Sequence, residues 1–188
     1  MNDIKNAIGK SAELILSMSR DAAAISKICK AVVKCLKAGG KVMTAGNGGS
    51  AAEALHMSEE LVGRFRSNRR SLPAIALVAD PTALTCIAND FGYDHVFDRQ
   101  IEGLGRKGDV LVLFSTSGNA KNLMLALNKA KDMGVKTIAL LGRDGGPMAG
   151  KADLQVIVRG TATERIQEAH QVLLHIILDA VEKAFHKG

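Results

Sequence analysis

The stretch KVMTAGNGGSAAEALHMSEELVGRF, residues 41–65, constrains the fold more than any other part of the chain. Its apolar run over 42–45 reads as a buried strand, Gly46-Asn47-Gly48-Gly49 as a tight turn, and the residues beyond as a helix. Ser50 is a candidate N-cap, with Glu53 completing a capping box. A strand that opens through glycines into a helix exposes backbone N–H groups at the positive end of a helix dipole, a setting for an anionic or hydroxyl-rich ligand. On that helix His56 and Glu60 are four residues apart and share one face. They are spaced as two ligands of one metal, as two groups of one acid–base site, or as an ordinary surface pair.

Further apolar runs over 73–78, 110–114, 137–141 and 154–158 read as four more strands. Helical patterns over 96–104, 122–133 and 161–186 alternate with them, 82–87 is a short helix or an extended piece, and 89–93 is a loop. Such alternation predicts an α/β fold in three layers, a five-stranded parallel sheet with helices on both faces. Two helices over 2–19 and 20–37 precede the first strand, with apolar stripes through Ile4, Ile8, Leu14, Ile15 and Met18 and through Ile25, Ile28, Val32, Val33 and Leu36. They exceed what a minimal α/β unit needs and are expected, with the last helix, at a subunit interface. No linker is visible, so one domain is expected over 1–188, with the N-terminal helices in 1–38 and the α/β core in 41–188.

VLVLFSTSGNAKN is the second informative stretch. A strand ending in Ser115-Thr116-Ser117-Gly118-Asn119 places three hydroxyls and several N–H groups where α/β sheets bind ligands. No GK[ST] follows, which excludes a nucleotide P-loop and leaves a sugar-phosphate cradle or a plain turn capped by Ser117 or Asn119. In the last helix Thr161 and Glu164 form another candidate capping box, and Gln167, Gln171 and His175 lie on one stripe. His175, inside VLLHIIL, is expected to be buried against a carbonyl, a side chain or a metal; His170 lies off that stripe.

Composition narrows the function classes. Trp is absent and aromatics are 3%, which excludes a stacking platform for single-stranded nucleic acid. The formal charge is +6, with its densest group at Arg64, Arg66, Arg69 and Arg70, either a solvated surface or an attraction for an anionic substrate. Cys29, Cys35 and Cys86 form no CxxC, so neither a disulfide framework nor a zinc–thiolate site is expected. Asp3, Lys5, Lys10 and Glu13 interrupt the N-terminal apolar residues, and no run reaches membrane-spanning length. The expected location is the cytoplasm, with no membrane or nucleic-acid partner.

Taken together, GNGGSxxxxxHxxxEL, GRF, PAIAL, NDFG, STSGN, GxDGGxMA and RIQExHxxxxH resemble the phosphoheptose isomerase family of sugar isomerase (SIS) domain proteins, over essentially the whole chain. The resemblance implies a homotetramer that converts sedoheptulose 7-phosphate to D-glycero-D-manno-heptose 7-phosphate through an enediol, the step that leads towards ADP-heptose for the lipopolysaccharide core. It further implies substrate contacts at Asn47, Gly48, Gly49, Asn89 and Asp90, and a phosphate held by Ser115, Thr116 and Ser117. His56, Glu60, Gln167 and His175 match a Zn²⁺ site, with Glu60 and Gln167 also meeting substrate. Moving a carbonyl from C2 to C1 needs a carboxylate base and an acid, roles for which Glu60 and His175 are the candidates. This chain departs from the pattern at Ala120, where relatives carry another phosphate-contacting Ser, and at Glu164, where they often carry Asp. Two rivals share the phosphate loop: a non-catalytic SIS-type regulatory protein that binds sugar phosphates, and an amino-sugar phosphate isomerase or etherase. The first has no need of His56, Glu60 and His175 together.

Overall fold

Five strands, β1 (Val42–Gly46), β2 (Ala74–Ala76), β3 (Val110–Ser115), β4 (Lys136–Gly142) and β5 (Leu154–Val158), form one parallel sheet in the order β2-β1-β3-β4-β5. The computed structural model describes residues 2–186. Around the sheet lie α1 (Asn2–Ser17), α2 (Ala22–Lys37), α3 (Gly49–Val62), α4 (Pro81–Phe91), α5 (Asp98–Leu104), α6 (Lys121–Asp132) and α7 (Thr163–Phe185).

Alternating side chains divide the interior into two cores. Val42, Val110, Val112, Phe114, Ile138 and Leu140 pack with α2, α3 and α7 on one face. Met43, Ala45, Leu111, Leu113, Ala139 and Leu141 pack with α5 and α6 on the other. Every residue of β1 and β3 is buried, as expected of central parallel strands covered on both faces. Three layers with a five-stranded parallel sheet are therefore the observed architecture.

Several boundaries differ from the sequence expectation. Asp80 caps α4 by accepting from the N–H groups of Thr82 (2.9 Å) and Ala83 (3.0 Å), with Pro81 at the first helical position. That start carries the helix through Asn89 and Asp90, the expected loop, until Gly92 stops it at φ 87°. Neither expected capping box forms. Gly48 precedes α3 and Ser50 lies buried inside it, while α7 follows Ala162 without a side-chain cap.

The N-terminal helices also divide differently from expectation. Ile25, Ile28, Val32 and Leu36 of α2 are buried in the chain's own core. Helix α1 buries no residue, and Ile4 and Ile8 remain 65% and 64% exposed. Exposed apolar surface is therefore concentrated on α1 and extends onto α2 at Cys29 and Val33, which are only half-buried.

The arginine-rich connection after α3 is partly internal. Arg69, its side chain 2% exposed, donates to the carbonyls of Glu60 (2.7 Å) and Leu61 (2.9 Å) at the end of α3, the second of which also accepts the Leu72 N–H at 3.1 Å. Its Nε donates to Glu182 of α7 at 3.1 Å, and the Ser67 N–H donates to the same carboxylate at 2.6 Å. Burial raises the Glu182 pKa, but the Ser67 and Arg69 bonds outweigh it and hold the group below its ordinary 4.5. A lowered carboxylate pKa stabilises the fold above 4.5, and that contribution is lost as pH falls through the folded value. Glu182→Gln leaves Arg69 buried without its charge partner and should cost about 3 kcal/mol in urea unfolding at pH 7. The variant should also lose less stability than the parent between pH 4.5 and the acid limit.

Candidate active site

Strand order decides where the site lies. In β2-β1-β3-β4-β5 the chain winds one way from β1 and the other way from β3, so α3 and α6 depart to opposite faces. The crevice between them, at the carboxyl ends of β1 and β3, is where such sheets bind ligands. Gly46 pairs in register with Phe114, so the GNGG and STSGN loops leave the sheet side by side. A reciprocal amide pair joins the first loop to the start of α6, which follows the second. Asn47 Nδ2 donates to Asn122 Oδ1 (2.9 Å), and Asn122 Nδ2 donates back to Asn47 Oδ1 (3.0 Å). The Tyr93 hydroxyl donates to the same Asn47 oxygen at 2.9 Å.

All three glycines of the first loop are required, and at Gly46 an added Cβ would lie 2.3 Å from the Ser50 carbonyl oxygen. Gly48 has φ 56° and ψ −124°, a conformation open to glycine and strained for other residues. At Gly49 an added Cβ would lie 2.3 Å from Gln167 Nε2, so a bare backbone lets α7 lay its amide on the turn.

In the second loop Ser115 is buried, and its Oγ accepts the Gly118 N–H at 3.0 Å. Ser117 Oγ accepts the Asn119 N–H at 3.3 Å. Each hydroxyl used as an acceptor keeps its O–H to donate, which suits an anion. Beyond Ser117 a polar groove of about 720 Å³ is lined by Asn119, Arg143, Arg159 and Thr161. Arg143 lies at an unspecified position of GxDGGxMA and Arg159 in no motif, so neither was anticipated.

The third part is the contact of α3 with α7. His56 Nε2 lies 3.2 Å from Glu60 Oε1, and the rings of His56 and His175 meet edge to face at 5.2 Å. Gln171, on the expected stripe but without an assigned role, sets its amide against His56 Nδ1 and 3.4 Å from His175 Nε2. Phe65 stacks on His175 at 5.8 Å. His175 is half-buried rather than enclosed, because it faces α3 and not the sheet. Burial first, and the neighbouring His56 second, hold its pKa below the ordinary 6.5, so the ring is neutral at pH 7 and keeps one N–H. The buried histidine is His170, which apolar flanks did not single out.

Of the anticipated site residues, then, His56, Glu60 and His175 converge within one chain. Gln167 rests on Gly49, and among the described residues no hydrogen bond joins it to those three. Asn89 and Asp90 are exposed at the last turn of α4, with Asn89 donating to Asp90 at 2.8 Å. His56, Glu59 and Glu60 offer donor atoms within 4.8 Å of one another, imidazole and carboxylate groups of the kind that bind Zn²⁺. Neither Cys35 nor Cys29 is a reactive thiol, since burial pushes Cys35 up to about 11 and raises Cys29.

Residues 8–142 match the SIS domain family. The chain is 45% identical over 188 residues to the phosphoheptose isomerase of Enterobacter sp. (strain 638), covering 98% of this chain and 97% of that protein. The chain belongs to the phosphoheptose isomerase family. Solved structures agree: the Neisseria gonorrhoeae phosphoheptose isomerase superposes with a TM-score of 0.91 at 37% identity, covering 97% of this chain and 98% of that one. The Francisella tularensis enzyme gives 0.93 at 32% identity, with 97% of each chain covered. The protein is accordingly an isomerase built on a SIS domain, and among its described residues no helix is long and apolar enough to cross a membrane.

Within this isomerase, Ala120 stands at the N-cap of α6 with no side-chain cap. Ala120→Ser supplies both a cap and a hydroxyl beside the STSGN loop. It should raise unfolding free energy by about 1 kcal/mol in urea titration and lower the KM for a sugar phosphate.

Proposed function

We propose that the protein converts sedoheptulose 7-phosphate to D-glycero-D-manno-heptose 7-phosphate in the cytoplasm, the first step towards ADP-heptose for the lipopolysaccharide core. The observation that carries this reading is the convergence of Glu60, His56 and His175 where α3 meets α7 in one chain. A SIS-type binding protein would use the phosphate loop and leave that convergence without a purpose.

Moving the carbonyl from C2 to C1 requires taking a proton from C1, holding an enediol, and returning a proton to C2. Glu60 is the base that carries this proton. His175, neutral at pH 7, donates its ring N–H to the substrate oxygens and accepts in return as the O1 proton passes to O2. The Asn47–Asn122 pair fixes the GNGG loop so that Gly48 and Gly49 meet the sugar hydroxyls. Ser115, Thr116 and Ser117 hold the phosphate, and Gln167, Asn89 and Asp90 complete the substrate contacts. His56, Glu60, Gln167 and His175 would hold one Zn²⁺ per subunit, which when bound supplies a Lewis acid for the carbonyl. Gln171, whose amide lies nearest both imidazoles, joins that set in orienting them.

Glu60→Gln should abolish turnover while leaving sugar-phosphate binding within about threefold, since the phosphate contacts stay intact. Ser117→Ala should weaken binding by about 1 kcal/mol by calorimetry. A Glu60→Gln protein that isomerises sedoheptulose 7-phosphate at the parent rate would leave only the binding-protein reading.

A second copy of the chain is the proposed partner of α1. In addition to the exposed Ile4 and Ile8 of α1, an apolar groove of about 600 Å³ runs between the end of α1, α2 and α7, lined by Ile15, Leu16, Ile25, Cys29, Val172 and Ile176. This surface supports a homotetramer. Light scattering at assay concentration should give four times the chain mass, and Leu16→Glu should shift it to smaller species; a fully active parent monomer overturns the assembly.

A further inference from the structure

Beneath the α3–α7 contact lies a polar pair that the chemistry above does not use. Glu53 is 5% exposed and His170 is 0% exposed. Glu53 Oε2 stands 3.8 Å from His170 Nδ1, beyond hydrogen-bond length, and neither Glu53 oxygen nor that nitrogen has a hydrogen-bond partner among the described residues. The other ring nitrogen, Nε2, is anchored 3.2 Å from the Leu141 carbonyl at the end of β4. Phe114 packs edge-on against the ring at 6.3 Å.

Position gives the pair its meaning. Glu53 precedes His56 by three residues and Glu60 by seven, on the same stripe of α3. His170 follows Gln167 by three residues on α7 and precedes His175 by five. Besides the Gln167 amide resting on Gly49, two polar side-chain approaches therefore bring these helices together, Gln171 to His56 at the opening and Glu53 to His170 below. Two apolar side chains would fill this space at less desolvation cost, so stability alone does not account for a carboxylate facing an imidazole here. A carboxylate and a ring nitrogen are directional, whereas methyl groups tolerate sliding and rotation. Closing the gap to hydrogen-bond length needs a shift of about 1 Å or less.

We propose that Glu53 and His170 are positioning residues that fix the spacing and rotation of α3 against α7. They thereby set the reach of His56 and Glu60 relative to His175. The inference rests on the acid–base reading of Glu60 and His175 given above.

The test compares Glu53→Gln, Glu53→Asp and the double replacement Glu53→Leu with His170→Phe in the full-length protein. Isomerase kcat and KM, the melting temperature, and the His56–His175 ring separation in crystal structures are measured for each, with Glu60→Gln alongside. Glu53→Gln should lower kcat by about tenfold with KM within about twofold, as loss of an orienting partner does. Glu53→Asp, which keeps the carboxylate, should recover part of that loss. The double apolar variant should melt at or above the parent temperature yet remain slow, with ring separation moved from 5.2 Å. Parental kcat and ring separation in Glu53→Gln, or full activity in the apolar double variant, overturns the proposal. Should Glu60→Gln prove active, the acid–base reading fails by itself, and the ring separation then decides the positioning role: a change supports it and none refutes it.

Discussion

The structure depends on α3 and α7 lying against each other over one face of the sheet. Ala54, Met57 and Leu61 of α3 and Ala169, Leu173 and Leu174 of α7 are buried in a single core with Phe114 and Leu140. That apolar contact is worth about 1.5–3 kcal/mol for each large side chain removed from water. It has no chemistry of its own. Its consequence is that the polar margins of both helices, His56 and Glu60 on one and Gln171 and His175 on the other, are forced into a single small volume. A site assembled across two helices inherits their rigidity, which is what the proposed base Glu60 and acid His175 would require.

Buried charges then secure what the apolar contact leaves free. Arg69 closes the end of α3 and reaches Glu182 near the end of α7. At the opposite end of the sheet, Asp109 accepts from the Lys41 N–H (2.9 Å) and the Arg106 N–H (2.8 Å), joining the entrances of β1 and β3. Each such group, if left alone, would carry a large desolvation cost, so each pair holds its elements in one arrangement rather than several. The ligand-facing loops are treated differently. Their amides and hydroxyls bond to one another around Asn47 and Ser115 but keep donors free, as the proposed sugar-phosphate site requires.

Five strands, their parallel arrangement and the GNGG and STSGN loops that follow two of them were legible in the sequence, because short apolar runs ending in glycine or serine before a helical period admit few other folds. The pairing of His56 with Glu60 was legible for the same kind of reason: a spacing of four fixes one helical face without knowledge of any neighbour. Family membership followed from several such motifs in one order along the chain.

What only the tertiary structure decided were the relations between segments far apart in sequence. Apolar flanks on both sides of His175 show that α7 is enclosed but not which of its histidines faces the sheet, so His170 became the buried one and His175 the one facing α3. Arg69 looked like one more surface arginine until the chain folded it against α3 and Glu182, 113 residues away. Gln171 and Gln167 share a stripe, and only the approach of Gly49 to one and His56 to the other separates their surroundings. Local spacing determines which side chains share a face, since the backbone repeat is fixed by its own hydrogen bonds; what that face meets is set by packing between elements, which no local repeat encodes.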